Sequence, residues 1–501
     1  MKVLFFPLFI TTPHYETELE LILTHILKGD EVFCIKCDGY LKTCLNNFYA
    51  KKSYCEICRS VVNTGLNTIG FPRKNLLKLP IKHELLEPIP PIFKNLQELI
   101  HYTYDGMNLG RVTAANLTIT LNWEHRLDTI ANKEHVSRIL TNTITIYSGM
   151  LEILKKISPD LVYIFNGRFG QPGAVIFACE KLGINYITHE RAGVLEKYWL
   201  REGNIPHDID AAVKEINELW DNSVEEKEKI GDEFFLERRG GVMQGWYSYV
   251  KDQKKGLLPE GFDETKKNIA IFNGNIEETL TIKDQENPLQ YPSENEAIED
   301  VIKNLQSEPD MRLYLRVHPH LKGRDNSQIR EIKEMGKTYK NLTVIPPEST
   351  IHSYDLMDHC NKVVVFGSTI GVEASFWNKP VILNGRAFYE GLGCVYVPNS
   401  REELIEMIKT DLPPKSREGA LKYGYWDKRK GIAYRFYKPL GVAKGTFLGR
   451  TIGPQKIALL KYYLRLFLLE NKSINDILLR VRKIENKIKE IVEFVRKRIF
   501  R

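Results

Sequence analysis

The chain has 501 residues, 43% of them hydrophobic and 27% charged, which is the composition of a soluble globular protein with apolar side chains enough for two or three domains. A formal net charge of +7 is modest for this length, and no RNP, zinc-finger or basic-zipper pattern accompanies it, so nucleic acid is not an expected partner. No interior stretch reaches the ~20 uninterrupted apolar residues of a membrane span. The opening MKVLFFPLFITT has one Lys and an apolar run, but Pro7 interrupts the run and no small-residue cleavage site follows. It reads as a first strand, and the protein is expected to be cytoplasmic.

That strand, residues 3–9, leads through Thr11-Thr12-Pro13-His14 into a helix over 15–27 and a second strand over 31–37. Strand, helix, strand in this order predicts a parallel sheet with a right-handed crossover. His14 stands at the mouth of the first strand, where a loop histidine is expected to take no part in chemistry. Five of the eight cysteines then fall between Cys34 and Cys58. Stable disulfides are rare in the cytoplasm, so such spacing points to a metal. Thiolates from Cys37, Cys44, Cys55 and Cys58 suffice for a tetrahedral structural Zn site. An iron–sulfur cluster takes the same ligands, and reduced structural cysteines are the alternative to both. Cys34 lies within the strand as a bystander, Cys55 and Cys58 read as loop residues, and no catalytic metal is expected.

Residues 71–94, rich in Pro and Lys, are expected to wrap the surface, and a long helical stretch over 121–157 follows, with Asn132 as its weak point. A strand over 161–165 ends in the glycine-rich turn Asn166-Gly167-Arg168-Phe169-Gly170, and after a helix over 174–182 the strand over 185–188 ends in His189-Glu190-Arg191. Both turns fall at one sheet edge, where functional side chains concentrate. Asn166, Arg168, His189 and Arg191 are therefore candidates for acceptor or cleft contacts, with loop salt bridges as the plainer alternative for the arginines. Glu190 is the candidate general base, with Glu277, which is also a candidate acceptor or cleft contact, Glu278 and Asp38 as rivals. Residues 195–255 read as helical and charged, anchored by Trp199, Trp220 and Trp246, and 256–263 as a hinge.

In the second half, Val363-Val364-Val365-Phe366 is an unbroken apolar run, as in a parallel strand covered on both faces. Gly367-Ser368-Thr369-Ile370-Gly371 then turns the backbone and offers hydroxyls and N–H groups where a helix begins, a setting that suits phosphate. Glu373 is placed to meet sugar or ribose hydroxyls or to favour the helix start, and Asn378-Lys379-Pro380 ends the helix before the strand over 381–383. A second strand, over 313–317, delivers Arg316 and His318 to its carboxyl end, with Pro319 fixing the backbone, so both strand ends face one crevice.

The His-Pro pair, the Ser-Thr-x-Gly-x-Glu-Ala turn and the Asn-Lys-Pro-Val strand resemble the capsule polysaccharide biosynthesis glycosyltransferases, which are Kdo-transferase-like. More distantly they resemble bacterial sialyltransferases and CDP-glycerol glycerophosphotransferases. The resemblance is best over residues 268–389 and implies that His318, Ser368 and Thr369 contact the donor's phosphate. Such proteins often carry a Ser- and acid-rich turn after the first strand of the second domain. Here Asn273-Gly274-Asn275-Ile276-Glu277-Glu278 keeps the acidity but replaces the hydroxyls.

The resulting expectation is an α/β protein with two Rossmann-like domains facing a cleft, the B-type glycosyltransferase architecture. An acceptor domain over 1–255 carries the Cys-rich loop at 34–58, a nucleotide-donor domain spans 256–440, and an amphipathic helical tail spans 441–501. In the tail, Ile474, Ile477, Val481, Ile484, Ile488, Ile491 and Val495 recur at three- and four-residue steps, an a/d seam suited to a homo-oligomeric coiled coil. Its basic and apolar end, Arg496 to Arg501, suits an anionic membrane surface on the inner face of the cell membrane. The expected reaction moves a sugar from a nucleotide donor, with a CMP-sugar as one form, to a growing surface or capsular glycan or glycolipid, a lipid-linked acceptor included. Arg316, His318, Ser368, Thr369 and Gly371 would receive the leaving phosphate. A CDP-polyol phosphotransferase, a UDP-sugar 2-epimerase and a non-enzymatic assembly scaffold remain open alternatives.

Overall fold

Apolar strands without alternation must be covered on both faces, and Val3, Leu4, Phe5, Ile269, Ala270, Ile271, Val363, Val364 and Val365 are all essentially without solvent contact. The computed structural model describes residues 1–459 apart from 42, 48–50, 82–88, 91, 122, 123, 125, 275–281, 283–288, 456 and 457. Among these the first half runs β1 (Lys2–Phe5), α1 (His14–Leu27), β2 (Glu31–Lys36), α2 (Lys52–Thr68), β3 (Leu76–Lys78), α3 (Leu96–Ile100), α4 (Leu109–Thr120), α5 (Lys133–Ile157), β4 (Leu161–Phe165), α6 (Gly170–Leu182), β5 (Tyr186–Arg191), β6 (Lys197–Glu202), α7 (Ile209–Asp221) and α8 (Lys227–Arg239). The second half runs β7 (Lys267–Phe272), α9 (Glu294–Asn304), β8 (Met311–Arg316), α10 (Ser327–Thr338), β9 (Leu342–Ile345), α11 (Ser353–His359), β10 (Lys362–Val365), α12 (Ile370–Phe376), β11 (Val381–Leu383), α13 (Arg401–Lys409), α14 (Glu418–Arg429), β12 (Ile432–Ala433), β13 (Tyr437–Gly441) and β14 (Lys444–Phe447).

Among the described residues, seven strands form a first sheet in the order β12-β6-β5-β4-β1-β2-β3, and five form a second in the order β11-β10-β7-β8-β9. The second sheet is parallel throughout, and so is the first from β5 to β3. Helices cover both sheets. This is the expected architecture of two Rossmann-like α/β sheets, and it brings the carboxyl ends of β5, β8 and β10 beside the cavities described below.

Several local expectations give way. Of the helix expected over 121–157, α5 supplies Lys133–Ile157, while α4 stops at Thr120 with Leu121 as its cap. Residues 71–94 contribute β3 to the sheet edge. The stretch 195–255 opens with β6, which pairs antiparallel with β5 and sets Trp199 opposite Glu190. No alternation announces β6, because it lies between β5 and β12 and buries Tyr198 and Trp199 together, Trp199 edge-on to Trp426. Cys55 and Cys58 sit on α2 and not in a loop.

The two units interleave across the boundaries expected at 255 and 440. Phe235 of α8 stacks on Phe376 of α12 at 4.1 Å, so helices before the hinge share a core with the second sheet. After α14 the chain returns to the first sheet through β12, and the segment that follows is pinned to α1. Glu20, buried in α1, accepts the backbone N–H groups of Arg435, Phe436 and Tyr437 at 2.7–3.2 Å. The heptad segment from Ile474 to Val495 lies outside the described residues, and no helix among the described ones is long and apolar enough to cross a membrane.

Replacing Glu20 with Ala removes a charged acceptor from three backbone N–H groups, that of buried Tyr437 among them, and the loss is costly. Urea unfolding should show the variant destabilised by on the order of 3 kcal/mol. An unchanged midpoint would mean that the returning segment is held by its apolar contacts alone.

Candidate active site

The carboxyl ends of β7, β8 and β10 open on a cavity of about 360 Å³ whose walls include His318, Ser368, Thr369, Arg238, Tyr249 and Asn273. The local sequence makes this shape. Gly367 takes a left-handed φ of +96°, which lets the chain leave β10 abruptly. Gly371 has no room for a side chain, since an added carbon would meet the Tyr389 hydroxyl and Val365. Its role is therefore packing, and Tyr389 in turn donates to the Ser368 carbonyl at 2.6 Å.

His318 is fixed on two sides. Its backbone N–H donates to Asn273 Oδ1 at 2.8 Å, and its Nδ1 accepts the N–H of His320 at 3.1 Å. Burial, reinforced by the neighbouring His320 and Arg316, pulls its pKa down to about 4. The ring is thus neutral at pH 7 with its proton assigned to Nε2, a donor for a phosphoryl oxygen. Asn273, which stands where a hydroxyl residue was expected, positions the histidine.

Glu373, nearly excluded from water, is already partnered: Arg238 contacts it at 2.9 and 3.0 Å and the Tyr354 hydroxyl donates to it. It organises the cavity wall more than it offers itself to a sugar. Arg238 also reaches Thr369 Oγ1 at 3.4 Å.

A second cavity, about 250 Å³, adjoins the first and shares Arg238, Gln244 and Trp246 with it; Glu190, Arg191 and His207 line it. Asn166, held at φ +56°, donates through Nδ2 to Glu190 at 2.7 Å, and the Arg191 N–H donates to the same carboxylate at 2.9 Å. His14 Nδ1 stands 3.4 Å from Glu190, and Arg191 Nη2 donates toward His14 Nε2 at 3.2 Å. Burial alone would raise the Glu190 pKa, but the facing His14 and these N–H donors hold it below the usual carboxylate range. Burial also lowers His14 to about 3, leaving it neutral. Arg191 lies flat on Trp246 at 4.5 Å and donates to the Val442 carbonyl, so the returning β13–β14 segment touches the site.

Other candidates are placed elsewhere. His189 is wholly buried on the opposite face of β5 from Glu190, as strand alternation requires, with Nε2 3.3 Å from buried Glu18. Arg168 lies over Phe169 at 4.7 Å and lines neither cavity. Arg316 is spent on the backbone, its guanidinium donating to the carbonyls of Pro346, Val317 and Ser349, so it braces the chain after β9 although it borders the cavity. Asp38 sits between Lys36 and Lys78 in a separate pocket. Glu277 and Glu278 lie outside the described residues. His14, expected to take no part, stands directly against Glu190. Arg238 and Tyr249 were not singled out, and Trp246 was expected only as a packing anchor, because all three belong to a segment that reads as a charged helix and its end.

Two Rossmann-like α/β sheets with adjoining cavities at their strand ends are the class of fold that this chain shows. Within it, residues 236–403 match the family described as capsule polysaccharide biosynthesis protein, a span of fewer than half the chain's residues that contains His318, Ser368, Thr369 and Arg238. No curated protein matches the sequence. Similar solved structures include the β-Kdo 2,4-transferase of Thermosulfurimonas dismutans KpsC, at 14% identity and TM-score 0.37 over 53% of this chain and 79% of that one. The β-Kdo 2,7-transferase of the same organism's KpsC aligns at 14% identity and TM-score 0.33 over 64% and 89%. The UDP-GlcNAc 2-epimerase of Methanocaldococcus jannaschii, in complex with UDP-GlcNAc and UDP, aligns at 12% and 0.27 over 84% and 97%.

Because the folded-state pKa of His318 lies below its unfolded value of about 6.5, its contribution to stability is complete above that pH and is lost as the pH falls through about 4. Thermal unfolding from pH 7 to pH 4 should therefore show a shallower loss of stability in His318→Asn than in the parent. Identical pH slopes would show a solvated imidazole.

Proposed function

We propose that the protein is a glycosyltransferase that moves a sugar from a nucleotide-activated donor to an acceptor hydroxyl of a growing surface glycan or glycolipid. The observation that carries this is the adjacency of two unlike cavities with a common wall: neutral phosphate-compatible donors line one, and an ionised carboxylate lines the other. The family match over 236–403 supports assigning the first to the donor. The nucleotide's phosphate would sit against His318 Nε2 and the Ser368–Thr369 turn, whose donors are in place before charge develops on the leaving group. The sugar would face the second cavity. There Glu190 would take the acceptor's proton as its oxygen attacks the anomeric carbon.

Asn166 and the Arg191 N–H fix the carboxylate's direction, while His14, neutral and backed by Arg191, closes its far side. These contacts keep Glu190 ionised, which a base requires, at the expense of basicity. Arg191 stacked on Trp246 supplies a flat, positively charged edge for an acceptor sugar.

Glu190→Gln should lower transfer by roughly 10²-fold or more while leaving nucleotide binding intact; retained turnover would remove Glu190 from the chemistry. In thermal-shift measurements with CMP, CDP, UDP and GDP, one nucleotide should stabilise the protein and His318→Ala should abolish that shift. Stabilisation by CMP would identify a donor of the Kdo or sialic acid kind. No shift with any nucleotide would leave the first cavity without its assigned ligand.

A further inference from the structure

The glycosyl-transfer reading makes no use of the most cysteine-rich part of the chain, the connection from β2 into α2. Cys37 follows β2 directly, Cys44 lies in a tight turn closed by paired backbone contacts with Asn47, and Cys55 and Cys58 occupy the first two turns of α2, three residues apart and so on one face. None is in a disulfide, and each is partly shielded from water.

The surroundings of the four sulfurs share one property: N–H groups face them all. The backbone N–H groups of Gly39, Tyr40 and Leu41 turn toward Cys37 Sγ, and those of Asn46 and Asn47 toward Cys44 Sγ. The side-chain amide of Asn47 donates to Cys55 Sγ at 3.3 Å, and that of Asn46 approaches Cys58 Sγ at 4.0 Å. The four side chains also lie close enough to interact electrostatically with one another, and although burial pushes the Cys37, Cys44 and Cys58 thiols up, each of these donors favours a sulfur that carries charge, as one bound to a cation does. The turn at Gly39 takes φ +83° and packs so closely on α2 that a side-chain carbon there would lie 3.3 Å from Cys55 Cβ. That close approach brings the Cys37 turn onto the helix face carrying Cys55 and Cys58. Arg59, whose Nη1 donates to the Asp38 carbonyl, adds a cation at the same place.

We propose that Cys37, Cys44, Cys55 and Cys58 together bind one Zn²⁺ ion that ties the connection to the start of α2. Binding converts four thiols to thiolates and releases four protons, and the resulting dianionic centre is offset by the N–H donors and by Arg59. In the side-chain conformations present, no three His, Cys, Asp or Glu side chains among the described residues stand at metal-binding spacing. Loading therefore draws the sulfurs inward from turns that already surround them. With all four positions taken by sulfur, the ion is structural.

The site bears on the active site through Asn46. Its side chain donates to the Leu8 carbonyl at 2.7 Å and accepts the Ile10 N–H at 3.3 Å, holding the strand exit that leads to His14. Loss of the ion would loosen that exit, and with it the partner of Glu190.

Metal analysis of the full-length protein, purified without chelators from zinc-supplemented cells, should give one zinc per chain. Ellman's reagent should then find four thiols that react only after a chelator is added, and Co²⁺ added to the stripped protein should produce a thiolate-to-cobalt charge-transfer band. Cys55→Ser and Cys58→Ser should each lose zinc, with a lowered unfolding temperature. A folded, monodisperse protein that stays zinc-free with freely reactive thiols would overturn the proposal. So would stoichiometric iron with a visible chromophore, or two disulfides by intact mass.

Discussion

The buried carboxylate of Glu373 is the constraint on which the rest of the site depends. An unpaired charge at that depth would be severely penalised, and its principal partner, Arg238, comes from a helix that precedes the hinge. The guanidinium lines both cavities and reaches Thr369, while Tyr354 supplies the second contact to Glu373. Satisfying one carboxylate thus fixes α8 against α12, and the stacking of Phe235 on Phe376 shields the pair. The common wall of the two cavities follows from this one interaction.

A second constraint is the alternation of β5. Side chains of successive residues must lie on opposite faces, so Glu190 can face the cavity only if His189 does not. The buried face accepts His189 because α1 brings Glu18 to it. The same helix supplies Glu20 to hold the returning chain and His14 to face Glu190. One amphipathic helix with several acidic residues turned inward therefore couples the first sheet, the returning segment and the candidate base.

This pattern explains what was legible in the sequence. The segment from Val363 to Leu383 could be read almost residue by residue, since its apolar runs, glycine turn and Lys-Pro stop are all local signals. The turns at Asn166 and Glu190 were readable as strand ends for the same reason. Long-range partners had no such trace. Nothing local to Arg316 tells that its guanidinium serves the carbonyls of Pro346 and Ser349, and nothing local to Arg238 tells that it crosses to Glu373. Glu16, Glu18 and Glu20 resemble solvated charges on a helix, and only the packing of distant strands reveals them as buried. The strand β6 was hidden because antiparallel pairing with β5 and cover from Trp426 substitute for a hydrophobic pattern of its own.

The electrostatics of the first cavity also differ from what the composition of its motif suggests. Arg316 and His318 look like two cations beside a phosphate turn. In the structure Arg316 is occupied by backbone carbonyls, Arg238 is neutralised by Glu373, and burial keeps His318 uncharged. What remains for a departing phosphate is a set of oriented neutral donors, the imidazole Nε2–H and the groups of the Ser368–Thr369 turn. Fixed dipoles of this kind are oriented in advance and need no reorganisation when charge appears. They also avoid the cost of keeping unpaired cations buried while the site is empty. A site built in this way can hold phosphate charge as it develops and still be stable without its ligand, which accounts for formal positive charges being spent on the scaffold and neutral donors being kept for the ligand.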